Sequence, residues 1–193
     1  MRKIKLIVLV ACALCAMPAQ AHKLEEANVA VRVAKSTMSV TPERAWNGIG
    51  SRQGKQSEVW TIDGEQLNEL IFFADVHNGA TLAPKMKHVT LPTWDEKMML
   101  VELPELIERN YRVTRHITDF TQLSSNPQSF LGRNGVAFEY EYVNADGLHM
   151  RGIAVATIIE GALYMINLNA PRLYYYDRTK PAFDAIVASA RLD

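Results

Sequence analysis

Residues 136–169 read VAFEYEYVNADGLHMRGIAVATIIEGALYMINLN, and this stretch decides the fold. Val136, Phe138, Tyr140 and Tyr142 alternate with Ala137, Glu139 and Glu141, the period-two pattern of a strand with one apolar face. On that pattern Glu139 and Glu141 lie on the wet face. Asp146-Gly147 and Glu160-Gly161 are turn pairs, and the segments 148–159 and 162–169 that follow them are apolar and strand-like. Three successive strands joined by tight turns predict an antiparallel meander. Beyond Pro171, the residues Phe183, Ile186, Val187 and Ala190 fall on one helical stripe. They predict an amphipathic helix docked on that sheet, starting at Asp177 or Thr179 near Pro181.

Working back towards the N-terminus, Leu103, Leu106, Ile107 and Tyr111 recur at helical spacing, with Glu102, Glu105 and Glu108 along the other side. This predicts a helix over 102–111. Residues 58–62 are strand-like and stop at the turn pair Asp63-Gly64, whereas the apolar run 67–76 fits a buried helix or a buried strand equally well. Residues 84–97 read as a loop, and Ser124, Ser125 and Ser129 around Asn126-Pro127 as ordinary turn residues. Nearer the start, Val29, Val31 and Val33 predict a short strand. Thr41 before Pro42 predicts the N-cap of a helical turn, and residues 48–56 a solvated loop. Residues 22–26 read as a loose lead-in.

A meander followed by a terminal helix ending Ile186-Val187-Ala188-Ser189-Ala190-Arg191 resembles the PsbP-like superfamily. So does Val59-Trp60-Thr61-Ile62-Asp63-Gly64 ahead of an apolar segment and a middle helix. That superfamily takes in extrinsic photosystem proteins, a nuclear-import factor and many exported bacterial proteins. The resemblance implies an α+β fold, an α-β-α sandwich around an antiparallel sheet, used as a protein-binding or accessory scaffold. Its motifs are structural rather than catalytic, so no functional residue is carried over from it, and fold analogy is a weak warrant for function.

The first 21 residues, MRKIKLIVLVACALCAMPAQA, have the pattern of a secretory signal peptide. Arg2, Lys3 and Lys5 flank an apolar run, and small residues at Ala19 and Ala21 suit cleavage before His22. Cleavage there removes both cysteines, Cys12 and Cys15, and leaves residues 22–193 as a single cysteine-free domain. Leu9-Val10-Ala11-Cys12 offers a second reading, a lipobox in which Cys12 is acylated and anchors the chain. The expected address is periplasmic or secreted, with a lipid-anchored form as the alternative.

Without its leader the chain has 18 basic and 21 acidic residues and a net charge of −3 with His neutral. Such a scattered, mildly acidic balance excludes the basic stripe that nucleic-acid binding needs. No second apolar run approaches the roughly 20 residues that span a bilayer.

Hydrolase signatures such as Gly-x-Ser-x-Gly and Ser-x-x-Lys do not occur. No catalytic set emerges and no cofactor is called for. Three features remain as candidate sites. A terminal His22 would offer its amine and imidazole nitrogens to a copper ion, with His77, His88, His116 or His149 as a second ligand. Tyr142 would face Arg151 across the hairpin if Asp146-Gly147 is a two-residue turn. In the run Tyr174-Tyr175-Tyr176, at least one ring must face outwards on a helical turn, and Tyr175 is taken as the contact residue. The sequence therefore predicts an exported, non-enzymatic binding or accessory module whose partner is another envelope protein. A membrane-anchored lipoprotein and an exported metal-dependent enzyme built on His22 are the alternatives.

Overall fold

The computed structural model describes residues 23–49 and 56–193. Four short strands come first: β1 Lys23–Glu25, β2 Val31–Arg32, β3 Met38–Val40 and β4 Trp46–Ile49. Next are β5 Ser57–Thr61, β6 Glu69–Val76 and the helix α1 Leu103–Thr114. The meander follows as β7 Phe120–Pro127, β8 Gly135–Val143, β9 His149–Ile159 and β10 Ala162–Pro171. Helix α2 Tyr175–Ser189 and β11 Arg191–Leu192 end the chain. Eight strands form one antiparallel sheet in the order β1-β4-β5-β6-β10-β9-β8-β7, and β11, β3 and β2 form a second, small sheet.

Side-chain alternation divides the interior into two cores. Leu70, Phe72 and Ala74 of β6 face one way with Tyr176, Phe183 and Ile186 of α2 and Val33, Met38 and Val40 beside the small sheet. Ile71 and Phe73 face the other way with Leu103, Leu106, Ile107 and Tyr111 of α1. The central strand β10 is buried at all ten positions, as a strand covered on both faces must be. The result is the α+β sandwich expected, with helices on opposite faces of an antiparallel sheet.

Several local expectations are corrected. The ambiguous segment 67–76 is a strand, the one that pairs with β10. The lead-in forms β1, an edge strand on β4. No helical turn starts at Thr41: its N–H donates to Ser189 Oγ at 2.9 Å, the Pro42 carbonyl accepts from Asn28, and both tie down extended chain. Gly48 and Ile49, assigned to a loop, lie in β4. The Ser124–Pro127 segment is no turn but the outer half of β7, an edge strand with exposed polar side chains, and edges tolerate Pro where central strands do not. Helix α2 begins at Tyr175, ahead of both proposed starts.

The β8–β9 connection is longer than the two-residue turn expected. Its loop is the five residues 144–148, in which the Asn144 side-chain carbonyl accepts from the N–H groups of Asp146 and Leu148. Gly147 still takes the left-handed backbone expected of it, with φ +78°. The longer loop moves the register by one residue, so Tyr142 pairs with Met150 and Arg151 with Glu141. A one-residue shift puts a side chain on the opposite face of a sheet.

Candidate functional site

Seven tyrosines occur in the chain, and six of them form two groups. Tyr111 of α1 and Tyr140 and Tyr142 of β8 sit between α1 and the sheet, all buried. Their rings meet edge-on or stacked, with Tyr111 and Tyr142 centroids 5.4 Å apart and Phe120 stacked on Tyr140 at 5.1 Å. Beside them Asn167 and Asn169, two apart on β10, share one face of the sheet. Their side-chain amides donate to the Tyr111 hydroxyl at 2.9 and 2.7 Å, and their carbonyls accept from the Tyr140 hydroxyl at 2.8 and 2.9 Å.

Counting protons closes this network. Tyr111 accepts two N–H bonds, which leaves its own proton to donate to the Tyr140 oxygen 3.4 Å away, and the single Tyr140 proton is shared between two asparagine carbonyls. Burial, followed by the neighbouring Tyr111 and Tyr142, holds the Tyr140 pKa well above its ordinary value. Burial likewise raises Tyr142. Tyr140 and Tyr142 stay protonated at physiological pH, and the bonds from Asn167 and Asn169 to Tyr111 tie α1 to the sheet. Gly152, opposite Tyr140 in the register, makes room for it: a Cβ there would fall within 2.6 Å of the Tyr140 hydroxyl oxygen.

The second group, Tyr174, Tyr175 and Tyr176, opens α2. Arg172 N–H donates to the His149 carbonyl, extending the β10 pairing by one residue, and the chain then reverses. Tyr175 N–H donates to the Leu173 carbonyl at 2.9 Å, while Tyr174 between them has φ +73° and ψ −57°. This is a γ-turn with its central residue at positive φ, a rare and strained form. It leaves Leu173 78% and Tyr174 65% exposed. Leu148, next to His149 in the β8–β9 loop, is also exposed.

Tyr176 anchors this knuckle from below. Its ring is buried under the Arg151 guanidinium, 4.7 Å from the centroid, and Arg151 forms a 2.6 Å ion pair with Glu139. The Glu139 hydrogen bond is the main cause of a raised Arg151 pKa, and burial with Glu139 raises Tyr176. The Arg151–Glu139 ion pair, packed on the Tyr176 ring, secures the first turn of α2 against the sheet. Tyr174 packs edge-on against Tyr175 at 5.1 Å, and Arg178 lies 5.5 Å over the Tyr174 ring while also pairing with Asp63. The knuckle is therefore held in one geometry from several sides.

The positions singled out in the sequence do not converge. Tyr142 is buried against α1, Arg151 lies under α2 on the opposite face, and Tyr175 is half-buried behind Tyr174. Glu139 is not on a wet face but inside the Arg151–Tyr176 arrangement. One ring of the tyrosine run does face outwards, but it is Tyr174 rather than Tyr175, and Leu173 beside it was not singled out. The signal available for them was three adjacent tyrosines just after Pro171, where a strand must turn into a helix. Cys12, Ala19, Ala21 and His22 lie outside the described residues. Among the described residues no three His, Cys, Asp or Glu side chains gather where they could hold a metal ion, and no helix is long and apolar enough to cross a membrane.

The sequence matches no family model and no curated protein. The fold does have solved counterparts. The chain is similar to the solution structure of cyanobacterial PsbP (CyanoP) from Synechocystis sp. PCC 6803, with a TM-score of 0.57 and 14% identity over 96% of this chain and 99% of that one. The fold is PsbP-like, as the resemblance implied. A second likeness is to the crystal structure of the Saccharomyces cerevisiae Ran-binding protein Mog1p, with a TM-score of 0.46 and 10% identity over 87% of this chain and 96% of that one.

Proposed function

We propose that this protein is an exported, non-enzymatic accessory module of the bacterial envelope that docks on another envelope protein through the Leu173–Tyr174 knuckle. The observation that carries this reading is the coincidence of strain with exposure. A tyrosine held at positive φ costs on the order of 1–3 kcal/mol, and such strain clusters at functional positions. Here it serves no core, since it turns a leucine and a tyrosine outwards. Tyrosine is stiff, large and amphipathic, the type that dominates protein contacts. The PsbP-like scaffold and the secretory leader support the same reading.

The docking claim is tested with a photo-reactive amino acid placed at Leu173, and at the exposed Glu105 of α1 as control, in the native envelope. One discrete adduct from position 173, absent from 105 and lost when Tyr174→Ala is added, is the expected result. No adduct, or the same adduct from both positions, overturns it. The address is tested by intact mass of the chain purified from that envelope. A start at His22 supports a chain free of lipid, and a diacylglyceryl group on Cys12 makes it a lipoprotein.

A further inference from the structure

On the face away from the knuckle, the chain between β6 and α1 folds into a strap over the sheet. Trp94 pins it: the buried indole donates to the Gly161 carbonyl at 3.0 Å, and backbone bonds join Trp94 to Ala80 and to Gly79 at 2.8 Å each. Between the strap, β6 and the C-terminal half of α1 lies a cleft of about 420 Å³. That is within the roughly 300–1,000 Å³ range of small-molecule sites.

Its walls are mainly apolar, with Ile71 and Phe73 from the sheet and Leu82 and Met86 from the strap. The α1 wall carries Asn110, only 4% exposed, whose amide nitrogen is buried without a hydrogen-bond partner. The Thr114 hydroxyl donates to the Asn110 backbone carbonyl at 2.8 Å, with the side-chain carbonyl a longer 3.4 Å away. A buried N–H without an acceptor is rare in folded proteins and needs an explanation. Charge is balanced at the same end, where Arg115 and Glu69 form a 2.7 Å ion pair and Arg115 covers the Tyr111 ring at 4.4 Å.

We propose that this cleft binds a compact, uncharged and largely apolar molecule bearing a carbonyl oxygen, which accepts a hydrogen bond from the Asn110 amide as that side chain turns out of the wall towards it. The apolar walls select the body of the ligand and Asn110 its acceptor. Arg115 and Glu69 neutralise each other at 2.7 Å, so the cleft offers a charged ligand of either sign no uncompensated counter-charge against its loss of hydration. This site is independent of the knuckle, on the other face of the sheet.

Two neutral dyes test it on the full chain: 6-propionyl-2-(dimethylamino)naphthalene, which carries a ketone, and N-phenyl-1-naphthylamine, which does not. The ketone dye is expected to bind saturably at one site with blue-shifted emission. Ala83→Trp, which fills the cleft from the strap, should weaken both dyes at least about tenfold, as loss of most apolar contact implies. Asn110→Leu should weaken the ketone dye about five- to tenfold, the worth of one hydrogen bond, and leave the other dye within about twofold. Thermal melting of both variants checks that they fold. Non-saturable binding, indifference to Ala83→Trp, or equal weakening of the two dyes by Asn110→Leu would overturn the proposal.

Discussion

Two trios of tyrosines in one chain meet opposite fates. Tyr111 comes from α1 and Tyr140 and Tyr142 from β8; all three are buried, Tyr111 and Tyr140 close a hydrogen-bonded network with two asparagines, and Tyr142 packs against both rings. Tyr174, Tyr175 and Tyr176 are adjacent in sequence and run from exposed to buried across a strained turn. The difference teaches that residue type does not mark a contact surface. A buried phenol whose proton is accounted for has nothing left to offer a partner, whereas Tyr174, 65% exposed and braced by Tyr175 and Arg178, presents the rest of its ring to solvent.

The largest expected effect comes from closing the space that the first trio uses. Gly152→Ala should cost about 3 kcal/mol, because the Tyr140 ring is fixed from both sides and cannot give way. Chemical denaturation measures it, and a loss below about 1 kcal/mol would show that the ring is free to move. Next, Tyr140→Phe keeps the ring but removes the proton shared by Asn167 and Asn169. Leaving those buried carbonyls short of a donor should cost about 2 kcal/mol.

The same trio sets a response to alkali. Folded pKa values of Tyr140 and Tyr142 lie above the ordinary phenol value of about 10, so the folded state holds its protons longer than the unfolded chain does. Stability is therefore complete below about pH 10 and falls as pH rises through and beyond that value. Tyrosinate absorbance and ellipticity followed together should show these two phenols ionising only as the fold is lost. Ionisation well before unfolding would place them nearer water.

The smallest stability effect, and the sharpest test of the comparison, belongs to the second trio. Tyr174→Gly relieves positive φ but loses the ring contacts with Tyr175 and Arg178. Its stability should stay within about 1 kcal/mol of the parent, on either side. Partner crosslinking at position 173 should nevertheless disappear. A variant that loses several kcal/mol would make Tyr174 a structural residue like Tyr140 and dissolve the distinction.

How much was legible followed physical signal. Leu103, Leu106, Ile107 and Tyr111 lie on one stripe of α1 and are buried, because a helix with one wet face imprints its period on the chain. The alternation from Val136 to Tyr142 likewise marked β8. Strand β7 was misread because Ser124, Ser125 and Asn126 sit on an exposed edge, held by bonds to β8 that leave no periodic trace. The Tyr142–Arg151 pairing failed on loop length, since Asn144 rather than Asp146-Gly147 alone shapes the turn. Asn110 falls on the apolar stripe of α1 and carries no sign in the sequence that its amide lacks a partner.

By itself the sequence determined the meander, the two helices and their apolar faces, because periodicity is local and burial enforces it. It also carried the likeness to PsbP-like proteins, through the order of those elements. Only the tertiary structure decided which tyrosines close a network and which stand bare. It alone stacked Arg151 on the Tyr176 ring and set Asn110 in the wall of a cleft. Register and the strap pinned by Trp94 join residues whose separation in the chain leaves no repeating pattern to read, and the γ-turn is a single local bond with no period of its own.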